Sequence, residues 1–86
     1  MKKVSYEVIE IVCQKDRYIG EVKHFRNFEH ADSYFEGVCV GTMRIYDDGK
    51  IDAFDIRIIQ TATNRVIKRY TNMNYDSDCE LRNLLG

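Results

Sequence analysis

The spacing of apolar residues divides this chain into segments of period two and one segment of helical period. The helical one is Asn27 to Gly41, NFEHADSYFEGVCVG. Phe28, Ala31, Phe35 and Val38 fall at i, i+3, i+7 and i+10 and share one face. Asn27 stands at the N-cap, with Glu29 in the first turn to complement the helix dipole. Gly41 stands where a left-handed residue would end the helix. Phe25, two residues before the cap, helps to fix the approach of the chain.

Around that helix the pattern predicts strands. Val4 to Cys13 is a strand by content, but its alternation changes phase. Val4, Tyr6 and Val8 point one way, and Ile9, Ile11 and Cys13 the other. Either a bulge shifts the phase or the strand is covered on both faces. A QKDR turn leads to a second strand, Tyr18 to Phe25. After the helix, Thr42 to Tyr46 is expected as a short strand, with Asp47-Asp48-Gly49 as a hairpin turn. Ile51 to Gln60 follows as the longest late strand, with Phe54, Ile56 and Ile58 on one face and Ile59 on the other. Asn64 is the expected left-handed residue of the next turn, and Val66 to Thr71 pairs back. Ser77-x-x-Glu80 is a capping box before Leu81, Leu84 and Leu85, so a short second helix is expected there.

The expected order is therefore ββαβββα. This is an α+β domain of two layers, spanning 1–86, with about five antiparallel strands, one main helix on one face and a short C-terminal helix. The second face of the sheet also needs cover, some of it expected from the C-terminal helix and the rest from a second copy or a partner protein. Ile9 and Ile11 mark it as a possible oligomer face.

Composition changes the picture little. Of the 86 residues, 44% are hydrophobic and 31% charged, as in an ordinary globular domain. A net charge of −1 argues against a nucleic-acid footprint. No apolar run is long enough to span a membrane. The start, MKKVSYEV, is basic, but Glu7 and Glu10 interrupt the apolar core a signal peptide needs. Cys13, Cys39 and Cys79 are odd in number and widely spaced, which fits free thiols in a reducing cytoplasm.

Motifs for chemistry are missing. His24 and His30 lack further ligands at short spacing, so neither a metal nor another cofactor is expected. Cys39, beside Val38 and Val40, fits a small core filler. Asp47, Asp48, Asp52 and Asp55 do not follow a calcium-loop spacing. Asn74, Asp76, Asp78 and Glu80 alternate like the opening of such a loop, but Cys79 sits where the glycine belongs. No glycine-rich phosphate loop, nucleophile elbow or zinc-protease motif occurs. The expectation is a protein that is not an enzyme.

What remains is a surface. Strand parity could place Arg44, Tyr46, Arg57 and Arg69 on one side of the meander, and Arg and Tyr are enriched at binding hot spots. The plainer alternative is a solvated sheet face with cross-strand Asp/Arg pairing, since Asp55 shares a row with Arg57. From Phe28 onward, the expected order helix, three strands, helix resembles the double-stranded-RNA-binding domain in topology. That family grips phosphates with lysines at the start of its final helix. The matching positions here are Asp76, Ser77, Asp78 and Glu80, which would repel phosphate, so RNA binding is not carried over.

The functional expectation is a small protein-binding module, of the kind phages and mobile elements encode to block a host protein. It would use a sheet face or an edge strand. The alternatives are a nucleic-acid-binding domain using the Arg/Tyr face and a homodimeric structural protein.

Overall fold

A computed structural model describes residues 5–72. The elements are β1 (Tyr6–Gln14), β2 (Arg17–Phe25), α1 (Phe28–Asp47), β3 (Ala53–Gln60) and β4 (Arg65–Thr71). The strands form one antiparallel sheet in the order β2-β1-β3-β4. Helix α1 crosses over the sheet between β2 and β3 and packs on one face. The fold is α+β, with four strands among the described residues where about five were expected. The expected C-terminal helix, with Ser77, Glu80 and the leucines after it, lies outside the described residues.

The helix begins as its sequence requires. Asn27 is extended (φ −119°, ψ 130°), and its Oδ1 accepts hydrogen bonds from the N–H groups of Glu29 (2.7 Å) and His30 (3.3 Å). It does not end at Gly41. It runs on through Thr42 to Tyr46, the segment expected as a strand, and stops at Asp47. Gly49 (φ +76°) provides the left-handed residue. Its N–H reaches the Tyr46 carbonyl and the Lys50 N–H reaches the Ile45 carbonyl, each at 3.0 Å. That pair of bonds is the Schellman closure. Asp47-Asp48-Gly49 is thus a helix terminus, and no hairpin precedes β3.

Packing explains the extension. Thr42 and Ile45 continue the Phe35 and Val38 face on the helical period. Thr42 is buried, and its hydroxyl donates to Glu10 Oε2 at 2.9 Å. Ile45 packs on the main core. A strand over 42–46 would have lost both contacts. With that strand removed, the described order from Phe28 is one helix and two strands. The likeness to the double-stranded-RNA-binding topology goes with it.

The main core lies between helix and sheet: Val8, Ala31, Phe35, Ile51, Phe54, Ile56 and Ile58. Aromatic rings rim it, with Tyr6 edge-on to Phe28 at 5.6 Å and Tyr46 edge-on to Phe54 at 5.5 Å. On the other face of the sheet, Ile9, Ile11 and Ile59 form a second cluster, joined by Val66. β1 pairs with β2 and β3 in unbroken register, so no bulge shifts its phase. Its change of phase comes from cover on both faces, the second of the two expectations.

Candidate functional site

The four Arg/Tyr positions do not come together. Arg44 and Tyr46 lie on the last turns of α1, on the helix side of the sheet. Tyr46 lays its ring against Phe54. Arg44 lines a shallow cleft of about 330 Å³ with Cys39, Val40, Met43, Asp47 and Tyr70. Arg57 and Arg69 face each other on β3 and β4, and both turn to Asp55. Arg57 Nε donates to Asp55 Oδ1 at 3.0 Å, and Arg69 Nη2 donates to Asp55 Oδ2 at 2.9 Å. Asp55 is 0% exposed and Arg57 1%. The cross-strand Asp/Arg pairing of the plainer alternative is present between Asp55 and Arg69, but Asp55 and Arg57 are buried and not on a solvated face.

Ile9 and Ile11 are also enclosed. At 6% and 1% exposed in a single chain, they offer little surface to a second molecule.

The acidic residues disperse. Asp47 and Asp48 end the helix, and Asp55 is buried between arginines. Asp52 Oδ2 accepts the Lys15 N–H at 3.0 Å and so ties the β1–β2 turn to the start of β3. Among the described residues, no three of His, Cys, Asp and Glu gather as a metal ion would need. His24 Nε2 lies 3.0 Å from Glu7 Oε2 across the β1–β2 pair. Cys39 is half-buried on the main core. Burial, with help from the Glu36 and Glu10 carboxylates, pushes its thiol up to about 11, which suits packing better than nucleophilic attack.

The surface that stands out is β2, the outer strand next to β1. Of its nine residues only Phe25 is even partly buried. Tyr18 is 47% exposed, Ile19 58% and Val22 39%. The hairpin fixes which backbone groups are open. Lys15 (φ 49°) and Asp16 (φ 66°) both take positive φ, as a two-residue type I′ turn requires. Gln14 and Arg17 close that turn as a hydrogen-bonded pair, and the ladder alternates from there. Arg17, Ile19, Glu21, Lys23 and Phe25 therefore bond inward to β1. The N–H and C=O groups of Tyr18, Gly20, Val22 and His24 point outward.

The opposite edge differs. β4 has seven residues, carries Arg65, Lys68 and Arg69, and meets β3 through a register shift at Ile58/Ile59. A bulge and clustered cations are the usual guards of a sheet edge. β2 also carries Arg17 and Lys23, but it has neither a bulge nor a proline. Sequence reasoning named an edge strand as a possible contact without saying which one, because strand order is a tertiary property. The available signal was Tyr18, Ile19 and Val22, apolar residues on both faces of a strand with only one long neighbour in sequence.

No protein-family model, curated protein or solved structure matches the chain. Among the described residues, no helix is long and apolar enough to cross a membrane.

Proposed function

We propose that the chain is a non-enzymatic protein-binding module whose contact element is the β2 edge. The observation that carries this reading is a regular nine-residue edge strand, exposed along its length, with Tyr18, Ile19 and Val22 open to solvent. An extended segment laid along it would gain main-chain hydrogen bonds from Tyr18, Gly20, Val22 and His24. The exposed side chains would supply apolar contact on both faces. Inhibition of a host protein by a phage- or mobile-element-encoded chain is one biological form of this reading. Size and the missing catalytic motifs are its only support. Free thiols at Cys13 and Cys39 fit a reducing cytoplasm. Nucleic-acid binding is the weaker reading, since Arg57 and Arg69 already share Asp55.

Val22→Pro tests it. The Val22 N–H points outward, so proline removes an intermolecular donor and no β1–β2 bond. A protein retained from the native host by the immobilised chain, whether a different protein or a second copy of this chain, and lost on Val22→Pro with an unchanged circular dichroism spectrum, is the expected result. Retention indifferent to that substitution would move the contact elsewhere.

A further inference from the structure

We infer that the occupant of this edge is a second copy of the chain, with β2 pairing antiparallel to the partner's β2 about a two-fold axis at Val22. The inference rests on the reading of β2 as the contact element. It adds the partner's identity and the register.

A two-fold pairing must match outward-facing backbone with outward-facing backbone. The axis then passes through one residue of β2, and charge selects among the choices. An axis at Glu21 sets that carboxylate opposite its own copy. An axis at Gly20 sets Arg17 opposite the partner's Lys23. Like charges directly opposite each other destabilise a sheet. An axis at Ile19 pairs Arg17 with the partner's Glu21, but it runs the rest of the strand past the partner's hairpin turn and loses Val22 and Lys23.

An axis at Val22 satisfies every position from Ile19 to Phe25. Glu21 lies opposite the partner's Lys23 and Lys23 opposite the partner's Glu21, on the helix side of the sheet. On that same side, Ile19 (58% exposed) comes beside the partner's Phe25, twice by symmetry. On the other side Val22 meets the partner's Val22, and Gly20 leaves room opposite the partner's His24. Gly20 and His24 bring outward backbone groups into register, as does Val22 on the axis. From Ile19 to Phe25 the strand is its own complement in charge and in apolar pairing. Among the described residues, the product is one continuous sheet of eight strands, with β4 of each copy farthest from the axis.

Sedimentation equilibrium of the full chain, from micromolar to millimolar, reads the outcome. Wild type is expected to dimerise. Glu21→Lys and Lys23→Glu each turn two attractive pairs into two repulsive ones and should weaken the dimer about tenfold or more. Both side chains are exposed, so neither change should unfold the chain. Mixing the two variants in equal amounts restores the complement and should give a heterodimer; Glu21→Lys/Lys23→Glu together should recover the homodimer. A wild-type monomer through the millimolar range overturns the inference, as does a dimer that neither reversal weakens or mixing does not rescue. A monomer whose host partner is still lost on Val22→Pro would leave β2 as the contact and remove only the self-pairing. A monomer with no partner sensitive to Val22→Pro would remove both.

Discussion

Replacing Gly41 with alanine separates the long helix from the shorter one that the residue pattern implies. In α1, Gly41 is an interior position six residues before the end, and its φ is not positive. A Cβ built there meets nothing within 4 Å, so alanine neither clashes nor gains packing. What is left is backbone entropy, about 0.8–1.0 kcal/mol in favour of alanine in a helix interior. Gly37 has the same open surroundings, so Gly37→Ala/Gly41→Ala should stabilise by about 2 kcal/mol. For a domain of this size each kcal/mol raises Tm by about 4–8 °C. Urea unfolding followed by circular dichroism should show a higher midpoint at unchanged slope. If Gly41 were instead a left-handed helix terminus, alanine would destabilise by about 1–2 kcal/mol. A lowered midpoint for Gly41→Ala would therefore refute the continuous helix, because the sign itself changes.

Asp55→Ala should cost about 3–5 kcal/mol, since it takes a buried carboxylate partner from both the Arg57 and the Arg69 guanidinium; a change below about 1 kcal/mol in urea unfolding would mark the trio as a surface-type network. Ile9→Ser/Ile11→Ser removes two enclosed side chains at about 2–5 kcal/mol each, enough to unfold most small domains, so a collapsed amide proton spectrum is expected. A soluble, well-dispersed monomer would instead return both residues to an intermolecular face. Alkylation of Cys39, followed site by site by mass spectrometry, should be slow near neutral pH in the folded chain and rise towards about pH 11, because only the thiolate reacts. Fast reaction at pH 7 would contradict its burial.

The local rules legible in the residues were the ones the chain obeys locally. Asn27 caps the helix because its short side chain reaches two amides just ahead of it. Asn64 takes positive φ in its turn. The Phe28, Ala31, Phe35, Val38 stripe faces the core because the helical period puts it there. The α+β class follows from one such stripe among period-two segments. The left-handed glycine after the helix was also foreseeable in kind, yet the residue was Gly49 and not Gly41. Two glycines competed for one role, and propensity alone favoured the earlier.

Long-range contacts decided that competition. Thr42 reaches Glu10, Ile45 reaches the core, and Tyr46 reaches Phe54, so helix continues where β-branched residues and glycine would locally favour stopping. Strand order is of the same kind. Nothing in the pattern along β2 says that β3 will pair with β1 and leave β2 outermost, and the open edge depends on that choice. The fate of the arginines was equally hidden, because Asp55 meets Arg69 only through the β3–β4 pairing. Periodicity encodes which side of an element turns inward. It carries no record of which elements will lie beside one another, and the open β2 edge is set by that second fact.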